Sequence, residues 1–571
     1  MSYDDILNSI GGWGKYQKWI CLLLTLSTIP NGYFTMILVF TSKTPEHRCR
    51  IPEIDGLHGE NTTLTPFNVS GLSEYIPWDS KNNRFDRCLR YNLTAKYGFN
   101  ETQNTTGCDF GYVYDVVEGQ LTAVTEWDLV CNYSYVKPRI SSVFMAGVLF
   151  GSLICGVVAD GFGRWPLMIA STYLQFIFMG LNIFNTSPAM YAAFMFFAGG
   201  CSLNNFVAAI VIGAEICDKK HRAFMETSAM IGFCVGYMVI PLFAYFILEW
   251  KTLFLVTAAI GVVYIPYWWL IPESPRWLIT KNKFIKAKLL LKKIAKFNGV
   301  NEDIDTFFTD ENLFLMSNDS EKEEKSISDS QGNEKCWTKI PYIQLFTHPG
   351  MISRTLYSCC SWFVIALTYY TLSLNTGNMG GNDYINCFVS ACVEIPAYLS
   401  VYFLLRRKGR RTLMISYLLA GSAGCIITPL IMRVSDIGGI VTAMIGKFFV
   451  TSAFGLVYLY TAEMFPTVSR NQALGITSMF ARFGSVIAPY IIYLGDTNGR
   501  ELPYTIIGSF SLASALLNCL LPETAGTHLP DTYEEALEMK SGRCMNLRKR
   551  VRRHSDKDLK ENDDTSSVFA A

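Results

Sequence analysis

Apolar residues gather into twelve runs separated by charged or turn-forming segments. Each run is long enough for a helix of about 20 residues, the length that spans a bilayer core. The runs fall at 19–40, 140–158, 166–184, 190–212, 228–248 and 253–271 in the first half of the chain. In the second half they fall at 356–374, 384–405, 413–432, 437–460, 473–494 and 504–521. The first run lacks a small-residue cleavage site and carries Pro30, Asn31 and Gly32 in its middle, so it reads as a retained helix and not a signal peptide.

Basic residues fix the orientation. One alternating set of short loops holds Lys15 and Lys18, Arg164, Lys219, Lys220 and Arg222, the run 406–411, Arg470 and the tail cluster 548–553, whereas the other set is nearly free of them. Both termini are therefore expected in the cytoplasm. The expected divisions are a cytoplasmic N-terminus (1–18), a first six-helix bundle (19–271), a cytoplasmic linker (272–354), a second six-helix bundle (355–521) and a cytoplasmic tail (522–571).

The first bundle includes an extracellular loop, 42–137. That loop holds Asn-x-Ser/Thr sequons at Asn61, Asn68, Asn92, Asn100 and Asn104, with a further one at Asn132, and the cysteines Cys49, Cys88, Cys108 and Cys131. Glycosylation and two disulfides in any of three pairings suit an oxidising compartment. The linker opens with the lysine-rich amphipathic stretch 281–296, which reads as a basic surface helix. It continues through the charged, Ser-rich stretch 317–335, which reads as disordered.

Composition agrees: charged residues make up 17% of the chain, against about 25% in soluble proteins. With 49 Lys+Arg against 48 Asp+Glu, a nucleic-acid binder working by bulk attraction is excluded. No HExxH, GxSxG or P-loop pattern is present, and an enzyme reading has no residues to stand on.

Two landmarks repeat. Gly163-Arg164 returns as Gly409-Arg410, and Pro272-Glu273-Ser274 returns as Pro522-Glu523-Thr524, at nearly equal offsets. Two halves of the same topology follow, the parallel repeat of major facilitator transporters. The stretch Asp160-Gly161-Phe162-Gly163-Arg164 resembles the facilitator loop motif. Pro272 to Leu278 (PESPRWL), Thr44 to Arg50, Thr125 to Cys131 and Tyr460 to Asn471 resemble signatures of solute carrier family 22. The stretches 237–246, 393–398 and 529–537 are most similar to its organic cation/carnitine branch. The resemblance implies an all-α membrane protein of the major facilitator fold, a multi-pass transporter of the plasma membrane, with no cofactor and with Na⁺ as a candidate coupling ion. Gly161 and Trp165 depart from the basic residues usual in the loop motif. The stretch 213–219 lacks the second glycine of a nucleotide loop, so nucleotide binding is not supported.

Arg482 is the sharpest candidate for substrate binding. It lies twelve residues beyond Arg470, about 18 Å along a helix and so near mid-bilayer. A charge there is costly and functional by default, and a guanidinium fork suits a carboxylate. By resemblance, family members that take simple cations carry Asp at this position, which disfavours a bare cation. Tyr33, Phe206, Tyr237, Trp362, Tyr369 and Tyr458 are candidates to hold an onium group by cation–π attraction; helix packing is the alternative for each. Asn31 beside Pro30 could serve Na⁺ or substrate, since proline frees a backbone carbonyl. Glu394 and Lys447 either pair or line the path. Asp160, Arg164, Glu215, Arg410 and Glu463 are expected in gate contacts between the halves. The tail stretch 548–555 resembles a basophilic kinase target.

The expected activity is alternating-access transport of carnitine-like zwitterions or organic cations. The alternatives are an organic-anion exchanger and a non-transporting receptor or scaffold. The expected partners are a small-molecule substrate and the lipid bilayer.

Overall fold

The computed structural model describes residues 3–55, 71–79, 84–91, 105–117, 119–300, 345–346, 349–405, 407–467, 469–527, 529–530 and 532–539. The expected glycosylation sites Asn61, Asn68, Asn92, Asn100 and Asn104, the acidic stretch 317–335 and the tail stretch 548–555 lie outside these residues.

The first six spanning helices are α1 Lys15–Met36, α2 Val136–Phe162, α3 Arg164–Gly180, α4 Pro188–Ile216, α5 Arg222–Phe246 and α6 Trp250–Ala259, the last continued to Leu270 by a 3-10 turn and a short helix. The second six are α7 Pro349–Leu374, α8 Asp383–Leu404, α9 Arg410–Met432, α10 Asp436–Met464, α11 Arg470–Asn498 and α12 Leu502–Asn518. Eleven of these segments are long and apolar enough to cross a membrane, and α12 is a shorter apolar helix of 17 residues. Several helices overrun the apolar runs. Lys137, Arg139 and Asp160 all belong to α2, for example, because hydropathy marks the hydrocarbon-facing part of a helix and not its hydrogen-bonded length.

Compact packing divides the chain into two units. The first is Met1–Met316 with Leu374–Ala391, and the second is Ser317–Ser373 with Cys392–Ala571. In the first unit α1 and α5 touch backbone to backbone. A Cβ on Gly236 would collide with the carbonyl of Ile29, and one on Gly32 with that of Phe233. Lipid tails give no hydrophobic drive to helix pairing, so such contact relies on small residues and close packing.

The sequence repeat has a physical meaning. In the first unit Glu273 Oε1 accepts from the backbone N–H groups of Arg164 at 3.0 Å and Trp165 at 3.1 Å, the first turn of α3. In the second unit Glu523 accepts from the N–H groups of Arg411 at 3.3 Å and Thr412 at 3.4 Å, the first turn of α9. The first turn of a helix has N–H groups without intrahelical partners and a partial positive charge, and a carboxylate answers both. A Cβ on Gly163 or Gly409 would strike that carboxylate, so the Gly-Arg pair and the Pro-Glu pair are two parts of one cap.

Among its described residues, the loop between α1 and α2 carries three two-stranded antiparallel ladders: His47–Cys49 with Tyr112–Tyr114, Trp78–Asp79 with Arg84–Phe85, and Leu89–Tyr91 with Thr105–Gly107. Disulfides Cys49–Cys108 and Cys88–Cys131 select one of the three open pairings. A buried fork holds the base of this loop, where Arg48 donates to both oxygens of Asp55 at 2.6 and 2.7 Å and the Ile51 N–H adds a third bond at 2.8 Å. Burial pushes the Asp55 carboxyl up, but the Arg48 fork and the Ile51 N–H outweigh it and hold the group below its usual value. The loop is tied to α6 by backbone bonds between Leu121 and both Leu248 and Trp250. Glu126 adds further ties by accepting from Trp250 Nε1 at 2.8 Å and Lys251 Nζ at 2.5 Å.

Two outcomes follow. Glu273→Ala and Glu523→Ala should each lower the thermal unfolding midpoint in detergent by the loss of a cap, about 1 kcal/mol. Because the Asp55 value is depressed on folding, its stabilisation is complete above the unfolded value of about 3.9 and is lost as pH falls through the folded one. Limited proteolysis of the loop should therefore accelerate below about pH 4, and Asp55→Asn should flatten that dependence.

Candidate functional site

A charged cluster lies inside the second unit. Glu394 of α8 accepts at Oε1 from Lys447 Nζ of α10 at 3.0 Å and from the Tyr369 hydroxyl of α7 at 2.9 Å. Glu394 and Lys447 are almost wholly removed from solvent. Lys447 Nζ also stands 5.7 Å from the centre of the Tyr369 ring, on whose other contacts Phe454 stacks at 5.3 Å. Opposite charges on neighbouring helices cancel, and breaking such a pair leaves an uncompensated charge in a medium that solvates it poorly.

Arg482 of α11 is different. Its residue exposure is 9%, yet its Nε has no hydrogen-bond partner and its guanidinium forms no ion pair among the described residues. Half-buried Tyr370 lies within electrostatic reach of Arg482, Tyr458 and Glu394, which places these groups in one neighbourhood. With Glu394 and Lys447 neutralising each other, the cluster keeps the positive charge of Arg482. Such a charge in low dielectric attracts a carboxylate strongly, and the guanidinium can receive it through two parallel bonds.

The aromatic candidates separate by burial. Trp362 is buried, donates from Nε1 to Thr461 at 2.9 Å and packs edge-on against Tyr458 at 4.4 Å. Tyr33 is buried in the first unit, with its hydroxyl on the Thr257 carbonyl at 3.3 Å. Tyr237 is buried and hydrogen-bonded to Ser390 at 2.9 Å. Phe206 and Tyr458 keep partly exposed rings. Tyr370, half-buried beside Arg482, was not singled out from sequence, since one more tyrosine in an aromatic-rich run carries no signal of its own.

In the first unit Asn31 heads a neutral polar cluster. Its Oδ1 accepts from Ser202 at 3.2 Å and Asn205 at 3.4 Å, and its buried Nδ2 has no partner among the described residues. Asn205 also donates to the Ser27 carbonyl at 2.9 Å and accepts from Thr172 at 3.1 Å. One turn beyond Thr172, Gln175 is fully buried with neither amide atom paired among the described residues. Gln175, Ser202 and Asn205 escaped sequence reading because uncharged polar residues barely disturb an apolar run. The carbonyl freed by Pro30, that of Leu26, is taken by the Tyr264 hydroxyl at 2.9 Å. One of its two lone pairs is thereby used within the helix bundle.

The residues expected in gate contacts pair within their own units. Arg164 takes Glu215 at 3.4 Å and Asp160 at 3.1 Å, all in the first unit. Arg410 takes Glu463 at 3.1 Å, both in the second. Thr524 adds a hydrogen bond to Glu463 at 2.6 Å. Each arginine is thus held by the acid of its own unit, a repeat of one local anchor. A contact that sequence reading missed joins the segment just after α1 to the start of α8 within the first unit. There Lys43 Nζ meets Asp383 at 2.6 Å, and Phe40 stacks on Tyr384 at 5.4 Å.

A family model described as "Sugar (and other) transporter" matches residues 100–535. Mouse (Mus musculus) solute carrier family 22 member 4 is 35% identical over 557 residues, covering 95% of this chain and 96% of the relative. Human (Homo sapiens) organic cation/carnitine transporter 2 is 35% identical over 556 residues, covering 94% of each. Organic cation transporter protein of Drosophila melanogaster is 35% identical over 542 residues, again covering 94% of each. Among solved structures, the partially occluded inward-open xylose transporter XylE of E. coli aligns with a TM-score of 0.58 at 15% identity, covering 90% of this chain and all of that one. That likeness bears on the fold alone. The buried charges on apolar helices, the paired caps of the two halves and these full-length matches place the chain in solute carrier family 22, a multi-pass membrane transporter of the major facilitator superfamily and not an enzyme.

Proposed function

We propose that this protein is a plasma-membrane carrier of carnitine-like zwitterions that works by alternating access with Na⁺ as coupling ion. The observation that carries the proposal is the buried Arg482 guanidinium, which forms no ion pair among the described residues. A substrate carboxylate supplies the missing charge, and its departure restores an unfavourable state, so binding is tight but reversible. The onium end needs an aromatic face within about 6 Å, and half-buried Tyr370 and Tyr458 of the same unit offer it. The two relatives named for carnitine or organic cations share this chain nearly end to end, which supports the same substrate class here.

The Glu394–Lys447 pair argues against the anion-exchanger alternative. That reading needs Lys447 as a second cation for anions, but Lys447 is already bound to Glu394. For Na⁺, the Asn31 cluster supplies neutral oxygens: Asn31 Oδ1, Ser202 Oγ, Asn205 Oδ1, Thr172 Oγ1 and the Ser27 carbonyl. A hard monovalent cation is bound in helical transporters by such side-chain and main-chain oxygens.

Three outcomes test this. Arg482→Ala should weaken carnitine uptake by roughly ten- to hundred-fold at unchanged surface expression, the value of a charge-assisted bond of about 1.5–3 kcal/mol. The choline analogue, which lacks the carboxylate, should be unaffected. Equal loss for both compounds, or none, would sink the role of Arg482.

Glu394→Gln should destabilise the protein by stranding Lys447 from its acid, on the order of 3 kcal/mol. The double change Glu394→Gln with Lys447→Met should recover most of that stability in a thermal unfolding assay. Replacing external Na⁺ by N-methylglucamine should depress carnitine uptake, and Asn31→Ala or Gln175→Ala should raise the Na⁺ concentration for half-maximal uptake. Uptake indifferent to Na⁺ would remove the coupling while leaving the Arg482 reading intact.

A further inference from the structure

The surface helix Phe284–Asn298 has two apolar sides, and only one packs against other described residues. Ala287, Leu291, Ile294 and Ala295 are buried, and Ala287 belongs to a small core with Trp277, Leu278 and Ile279. With about 3.6 residues per turn, Ile285 and Leu289 fall on the opposite side. They are 78% and 64% exposed. Lys286, Lys292, Lys293 and Lys296, all exposed, flank them on that same side.

The helix is pinned at both ends to spanning segments of the first unit. At its C-terminal end Asn298 accepts from the Tyr16 N–H at 2.9 Å and donates to the Gln17 side chain at 3.0 Å, both in the first turn of α1, and to the Ile10 carbonyl at 2.9 Å just before it. Phe297 meets the Tyr16 ring edge-on at 5.6 Å. At the other end Lys283 lies over the Trp277 ring at 4.4 Å, and Trp277 Nε1 donates to the Asp160 carbonyl at 3.2 Å, near the end of α2. Fifteen residues, about 22 Å of helix, therefore run between helix ends on the side that the basic loops mark as cytoplasmic. Helix ends of this kind lie at headgroup depth.

We propose that the face built from Ile285, Leu289, Lys286, Lys292, Lys293 and Lys296 docks onto the anionic lipid surface of the cytoplasmic leaflet. Charge complementarity selects the occupant. Four lysines surround two aliphatic side chains, the pattern of an interfacial helix whose apolar residues enter the headgroup boundary while lysine stems reach phosphate and carboxylate groups. Protein-binding faces are instead enriched in Trp, Tyr and Arg and depleted in Lys, and this patch has none of the former. Because Asn298 holds the first turn of α1, lipid engagement also bears on the position of that helix.

The test uses the full-length protein in vesicles of phosphatidylcholine alone or phosphatidylcholine mixed with phosphatidylserine. An environment-sensitive fluorescent amino acid is placed at position 289, with brominated phospholipid as quencher. Strong quenching is expected in the phosphatidylserine vesicles and little in the neutral ones. The combined variant Lys286→Gln, Lys292→Gln, Lys293→Gln and Lys296→Gln should abolish the difference. In parallel, phosphatidylserine should raise the unfolding temperature of the parent protein and not of that variant, because a ligand of the folded state stabilises it.

A probe that stays water-exposed in both vesicle types overturns the proposal. So does a probe already shielded in neutral vesicles and in detergent, which would mean that another segment of the chain covers the face. Persistence of the phosphatidylserine effect in the quadruple variant also overturns it. None of these readings depends on which solute is carried.

Discussion

One guanidinium, withdrawn from water and without an ion-pair partner among the described residues, is the constraint on which the proposed binding chemistry rests. A charge in low dielectric is tolerated only if something compensates it. Glu394 and Lys447 satisfy one another at 3.0 Å, and Tyr369 completes the carboxylate with a hydrogen bond. Arg482 has no such arrangement. The asymmetry between a closed ion pair and an arginine without one among the described residues is what the proposed binding role of Arg482 rests on.

The frame that carries these groups rests on a device used twice. Glu273 and Glu523 each close the first turn of a helix, and Gly163 and Gly409 each leave room for the carboxylate. Arg164 with Glu215, and Arg410 with Glu463, add an ion pair beside each cap. Each half is thus braced at its basic end by its own residues. In the first unit the disulfide-bonded loop is fastened to α6 through Leu121 and Glu126.

Legibility followed the kind of signal. Arg482 stood out because a lone charge in an apolar run is costly wherever it points. Glu394 and Lys447 stood out for the same reason, but their relation to each other required knowing which faces of α8 and α10 meet. Gln175, Ser202 and Asn205 were silent, since an amide or hydroxyl changes hydropathy too little to be noticed. Tyr33 and Trp362 drew attention as aromatics, yet both are packed inside a helix bundle with satisfied polar tips. Pro30 did free a carbonyl, and Tyr264, more than two hundred residues away, takes it.

The sequence alone determined the number of apolar spans, the side marked by basic loops, the duplication of the chain and the presence of a cation at membrane depth. Each of these is a property of a residue and its near neighbours along the chain, and hydropathy and charge sum locally. Tertiary structure decided which cysteines join, which acid answers which base, which aromatic rings stay accessible and that Arg482 keeps no acid partner among the described residues. Those are contacts over a few ångströms between residues distant in sequence, and no one-dimensional pattern contains the rotation of one helix against another.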